Sequence, residues 1–208
     1  MVVLAPHADD ETIGAWALIR HRIAARARVT VIVVSDGAGS HPGSLTWPRA
    51  RLTRERRRET RRAMASLAIA PSRIRFLGLP DGTLDRDPAQ VRRAIARALR
   101  RHPVPDLIVG PVADDAHADH RAVAHALAAL PRRGESRLGY QVWPDGAGRA
   151  ARAFRVRLGA QALRAKRRTI CGYRTQMGMI RDAEAGFAMT ARHLRAFVRP
   201  AECFRILA

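Results

Sequence analysis

Two short clusters carry the residue types needed for metal-assisted hydrolysis. Pro6-His7-Ala8-Asp9-Asp10-Glu11 follows the first apolar run of the chain, and His117-Ala118-Asp119-His120 follows a later one. Two imidazoles and a carboxylate around one divalent ion, with water in the remaining position, make a catalytic zinc arrangement. His7 and Asp10 are three residues apart, a spacing that brings both side chains to one side of a turn entering a helix. Asp9 then points elsewhere nearby, close enough to serve as a base without being a ligand, and His120 can arrive from a neighbouring strand end. Acidic turns after strands also arise simply because Asp caps helices. Isolated histidines usually serve no site, and His21, His102, His125 and His193 are read that way. Two such clusters, each after a strand, point instead to one metal site.

The elements that must position these clusters alternate along the chain. Val2 to Ala5 reads as a strand, and Ile13, Trp16, Ala17 and Ile23 follow a helical stripe. Val29 to Val34 is broken only by Thr30, the pattern of a strand buried on both faces, and the Ser35-Asp36-Gly37-Ala38-Gly39-Ser40 loop ends it. The same reading gives a helix from about Arg51 to Leu67, a third strand from Ile74 to Leu77, a helix from near Pro88 to Arg101 and a fourth strand from Leu107 to Val109. His120 to Leu130 is helical, Tyr140 to Trp143 is a later strand, and from Leu158 onward the pattern is mostly helical. Such alternation predicts an α/β fold, a Rossmann-like three-layer sandwich with a mostly parallel sheet. Right-handed crossovers put the strand-end loops on one edge, where ligands bind in open sheets. The 208 residues suit a single domain, 1–208.

Composition narrows the partners. Lys+Arg is 38 against 18 Asp+Glu, a net charge of +20, and Lys166 is the single lysine. The arginines are spread among alanines on helical segments rather than gathered in basic blocks, which reads mainly as a compositional habit. The Arg57-Arg58 and Arg61-Arg62 pairs read as a solvated face. An aromatic content of 5% leaves few stacking platforms, so no nucleic-acid partner is expected. No apolar run is long enough for a transmembrane helix, and the residues before Pro6 are too few for a secretory leader, so a cytoplasmic location is expected. Cys171 and Cys203 are too few for a disulfide scaffold and read as quiet core residues.

At the two clusters the chain resembles the PIG-L / LmbE-like zinc-dependent de-N-acetylases. Pro6-His7-Ala8-Asp9-Asp10-Glu11 is similar to that family's P-H-P-D-D-E, and His117-Ala118-Asp119-His120 to its H-P-D-H, with alanine for proline in each. Ser35-Asp36-Gly37, Arg56 with Glu59, and Phe76-Leu77-Gly78-Leu79-Pro80-Asp81-Gly82 resemble further family segments. Lys166, Tyr173 and Gln176, and finally Glu202-Cys203-Phe204-Arg205, extend the resemblance over nearly the whole chain. It implies an LmbE-like fold and one zinc ion per chain held by His7, Asp10 and His120, although the same ligands accept other divalent metals. It implies Asp9 as general base and His117 as acid or oxyanion stabiliser. Asp119 would orient His117 and raise its pKa. Asp36, Arg56 and Asp81 would contact a sugar or anion, although Arg56 and Glu59 could equally form a helix pair, and Asp81-Gly82 a simple turn.

The expected function is therefore hydrolysis of an N-acetyl or other N-acyl group from an N-acetylglucosamine-type sugar or glycoconjugate. The residues themselves argue for metal-assisted hydrolysis; the substrate class comes from the resemblance. Two alternatives stand beside it. A metallo-phosphoesterase would want two metals about 3.5–4 Å apart. A basic polyanion-binding module would bind without hydrolysis and lose its ligand steeply with salt.

Overall fold

The computed structural model describes residues 1–101, 103–143 and 153–207. Its strands β1 (Val2–Ala5), β2 (Thr30–Ser35), β3 (Ile74–Leu79), β4 (Leu107–Pro111), β5 (Ser136–Tyr140), β6 (Ala153–Arg157) and β7 (Ala201–Ile206) form one sheet in the order β3-β2-β1-β4-β5-β7-β6. β1 to β5 pair in parallel, and β7 runs antiparallel to both β5 and β6. The helices are α1 (Asp10–Ala24), α2 (Arg49–Ala65), α3 (Pro88–Arg100), α4 (Ala118–Ala128), α5 (Ala160–Cys171) and α6 (Ala191–Phe197).

The near-continuous apolar strands are buried on both faces, which is why they pack two helical layers. Val3, Val31 and Val33 meet α1, α2 and α5 through Trp16, Met64 and Ile170. Leu4, Ile32 and Val34 meet α3 and α4 through Ile95, Val123 and Leu127. Gly14 marks how closely α1 approaches β5: a Cβ there would lie 2.2 Å from the Tyr140 ring, whose hydroxyl donates to Leu4 O at 2.8 Å. From β1 the chain winds to β2 and β3 on one side and resumes with β4 on the other, so the crevice between the ends of β1 and β4 is the point where strand order reverses.

Several expectations need correction. The strand expected at Tyr140 to Trp143 is β5, four residues earlier at its start; Val142 and Trp143 instead donate their backbone N–H groups to Asp115 Oδ2 at 2.8 and 3.0 Å. The stretch after Leu158 holds β7 as well as helices, and β6 lies just before it. Neither cysteine is in the core: Cys171 is half-buried and Cys203 exposed. His102 lies outside the described residues. Among those described, no helix is long and apolar enough to cross a membrane.

Candidate active site

β1 ends at Ala5, and the chain turns through His7 into the first turn of α1; β4 ends at Pro111, and the loop after it delivers His120 from the first turn of α4. Three donor atoms converge there. His7 Nδ1 is 3.1 Å from Asp10 Oδ2 and 3.2 Å from His120 Nε2, and His120 Nε2 is 3.2 Å from Asp10 Oδ2. Two imidazole lone pairs and a carboxylate oxygen at such distances need a positive charge between them. Tetrahedral ligands on bonds of about 2.0 Å stand roughly 3.3 Å apart, so the triangle fits a zinc-sized ion. Without an ion, burial disfavours a charged His120 ring, yet Asp10 outweighs it and pushes its pKa up to about 9. Burial alone would raise Asp10, but His120 and His7 hold it well below the usual carboxylate range.

The outer nitrogen of each histidine meets carboxylates, as metal-binding imidazoles usually do. His120 Nδ1 is 3.2 Å from Asp115 Oδ1. His7 Nε2 is 3.0 Å from Asp81 Oδ1 and 3.1 Å from Asp119 Oδ2. Asp115 escaped the sequence reading: it sits five residues before His120 in a loop, where no periodicity marks it. Asp119 corrects an expectation. Its carboxylate accepts the Gly82 and Leu84 N–H groups at 2.8 and 2.9 Å and turns to His7, not to His117. His117 Nδ1 instead accepts the backbone N–H of Asp119 at 3.2 Å. The expected rise in the His117 pKa is reversed as well. Burial, then the positive His7 and His120 rings, push it below its ordinary value against the weaker pull of Asp10 and Asp119.

Asp9 lies beside the triangle with φ at 122°, a region side chains rarely adopt. Such strain persists only where the surroundings over-determine it, and here they do. Asp9 N donates to Glu11 Oε2 at 3.1 Å, and Glu11 Oε1 accepts the Tyr173 hydroxyl. On the other side Arg56 Nη2 donates to Ala8 O at 2.7 Å and lies 3.6 Å from Asp9 Oδ1. Burial pushes the Asp9 carboxyl up, Arg56 pulls it down, and Asp10 and Glu11 raise it again. Glu11, fully buried, is pushed up to about 7 chiefly by desolvation.

Arg56 does not pair with Glu59, which accepts Thr175 N and Oγ1 at 2.8 and 2.6 Å. It also donates to Gly37 O at 3.0 Å, where a left-handed φ of 71° and the approach of the guanidinium both require glycine. Asp81 lies 3.9 Å from Arg56 Nη1 and accepts Gly39 N at 2.8 Å, more than a simple turn residue. Desolvation would raise its pKa, but His7 and Arg56 hold it well below the usual range. Asp36 is a correction: its carboxylate accepts Ala38 N at 3.1 Å and pairs with Arg49, and it does not line the cavity.

That cavity, about 280 Å³, opens over the triangle. His7, Asp9, Asp10, Arg56, Asp81 and His117 supply its polar side, with Ser40 and Gln176. Trp143, Phe187 and Met189 form an apolar side, backed by Phe197, whose ring centroid is 5.2 Å from that of Trp143. The aromatic wall escaped the sequence reading, because its members are scattered over the C-terminal third. Of the remaining histidines, His21 and His125 are exposed and His193 packs at 5.3 Å against Trp143.

The family model described as PIG-L, GlcNAc-PI de-N-acetylase, matches residues 2–130. No curated protein matches the sequence. Among solved structures, the conserved protein TT1542 from Thermus thermophilus is 21% identical, with a TM-score of 0.73 over 100% of this chain and 94% of its own. N,N'-diacetylchitobiose deacetylase from Pyrococcus horikoshii is 18% identical, with a TM-score of 0.75 over 99% of this chain and 82% of its own. Teicoplanin deacetylase Orf2 is 20% identical, with a TM-score of 0.69 over 86% of this chain and 85% of its own.

Proposed function

Because this chain belongs to the PIG-L family of de-N-acetylases, we propose that residues 1–208 act as one zinc-dependent amide hydrolase domain, removing the N-acetyl group of an N-acetylglucosamine-type sugar or glycoconjugate. The observation that carries the reading is the triangle of His7 Nδ1, Asp10 Oδ2 and His120 Nε2, all within 3.2 Å of one another, with Asp9, on a strained backbone, beside it.

His7, Asp10 and His120 hold the ion in this proposal. Zinc bound there would supply Lewis-acid polarisation of the amide carbonyl and would lower the pKa of water to about 7. Asp9 takes the proton of the attacking water; burial raises its proton affinity well above that of an ordinary carboxylate against the pull of Arg56, and its fixed position brings it to the water. His117 accepts an N–H at Nδ1, so its neutral ring carries the proton at Nε2 and donates that N–H to the developing oxyanion. With Nδ1 engaged by that N–H, the ring serves as a hydrogen-bond donor through Nε2, and Asp9 returns its proton to the departing amine. Asp119 and Asp115 fix the rings of His7 and His120. Arg56 and Asp81 offer an ionic donor and acceptor for sugar hydroxyls, and the apolar wall packs the remaining face of the ring.

A two-metal phosphoesterase finds less support. A second grouping, His7, His117 and Asp119, shares His7 with the first, and its Asp119 carboxylate already accepts two backbone N–H groups. The test is to incubate zinc-loaded protein with N-acetylglucosamine, N,N'-diacetylchitobiose and a sugar phosphate, assaying acetate, free amine and phosphate. Equal release of acetate and amine, lost together with bound zinc in His120→Ala, is expected. Phosphate release without amine overturns the reading.

A further inference from the structure

A larger groove lies away from the catalytic cavity. It runs between β3, the edge strand of the sheet, and α3, and encloses about 700 Å³. Arg75 from β3 and Arg93, Arg97 and Arg101 from α3 and its end line it, over a floor that includes Phe76, Leu77 and Ala98. Among the described residues, no acidic side chain lines it. Around the strand, Arg57 and Arg61 of α2 lie 5.4 and 5.1 Å from the Phe76 ring centre, a contact the solvated-face reading of α2 did not anticipate.

A minority of the arginines are neutralised by a nearby carboxylate. Arg58 and Arg62 share Glu55, Arg137 pairs with Glu135, Arg205 with Asp114 and Arg49 with Asp36. Among the described residues, the guanidiniums around the groove form no ion pair; Arg75 only donates to Ala98 O at 3.4 Å. Four cations from β3 and from α3 with its end thus line one groove without an ion pair, a field that attracts a matching anion.

We propose that this groove docks an extended acidic segment of a partner protein, which adds as a further strand beside β3. Three features favour a peptide. An edge strand presents unpaired N–H and C=O groups to any incoming backbone. Arg93, Arg97 and Arg101 recur every four residues of helix, about 6 Å, close to the roughly 6.6 Å between side chains on one face of a strand. An alternating acidic segment therefore sets its carboxylates against these guanidiniums, with its intervening apolar side chains on the opposite face of the sheet, where Phe76 lies. A single-stranded nucleic acid would need a free aromatic face for its bases, and the Phe76 ring is already taken by Arg57 and Arg61.

The test measures anisotropy of a labelled peptide of alternating Glu and Val, about eight residues long, against the full metal-loaded chain. Binding should weaken about tenfold or more in R93Q/R97Q/R101Q and with added salt. It should persist in R164Q/R167Q/R168Q, a control on exposed arginines of α5. Methylating alternate peptide nitrogens should abolish it, since strand addition needs them. Circular-dichroism spectra and thermal melting unchanged in both variants report folding and keep this test independent of the proposed reaction. Equal loss in the α5 control, unimpaired binding of the methylated peptide, or tighter binding of an oligothymidylate of matched charge overturns the proposal. So does absence of peptide binding, which would leave the arginines as guards of an exposed edge.

Discussion

Residues up to His120 and residues after Ser136 contribute to the same cavity in different currencies. Every titratable side chain that lines it, from His7 and Asp9 to Arg56, Asp81 and His117, comes from the first region. The second region lines it with Trp143, Gln176, Ala185, Phe187 and Met189, none of which titrates. Yet the second region is not passive. Lys166 Nζ donates to Glu202 Oε1 at 2.7 Å and to Ile13 O at 2.8 Å, while Glu202 accepts Ala17 N at 2.9 Å. This buried pair inserts into α1, at whose first turn Asp10 sits. Tyr173 reaches Glu11 in the same way. Chemistry is gathered at the ends of the parallel strands, and shape and anchorage are supplied by chain that returns later. The family model's match to residues 2–130 falls on the first of these regions.

The largest expected effect tests that division at its chemical end. Asp9→Asn should keep its metal and lose about 10²–10⁴ in turnover, the usual contribution of a general base. Metal analysis beside steady-state kinetics checks it, and near-normal turnover would demote Asp9 to a capping residue. Lys166→Met tests the anchoring end. Leaving Glu202 buried without its partner should cost about 3–5 kcal/mol in urea unfolding, while the folded fraction keeps its kcat. A large fall in kcat would show that the anchor reaches the chemistry.

Asp115→Asn lies between the two. It keeps the shape but removes the charge facing His120 Nδ1, so affinity for zinc should fall about 10–100-fold in chelator competition. An unchanged affinity would leave Asp115 a mere loop clamp on Val142 and Trp143. Smallest is Phe187→Ala, expected to raise KM a few-fold, about 1 kcal/mol of lost packing, with little change in kcat. If kcat fell as far as in Asp9→Asn, the separation of chemistry from shape would fail.

By itself the sequence determined which residues stand at the ends of the central strands. Period-two and period-3.6 patterns are local, and right-handed crossovers then force His7 and His120 to one edge without any long-range information. Residue type marked His7, Asp10 and His120 as candidate ligands, since few side chains can bind a divalent ion. Tertiary structure alone decided which carboxylate faces which ring. Asp119 is two residues from His117, yet the N–H groups of Gly82 and Leu84, brought in from the end of β3, hold its carboxylate against His7. Asp36 looked equally placed, but Ala38 and Arg49 turn it into the loop. The antiparallel β6 and β7, the aromatic wall and the arginine groove were illegible for a related reason. Each is made of residues unremarkable in their own segments, and only the packing of distant segments gives them neighbours.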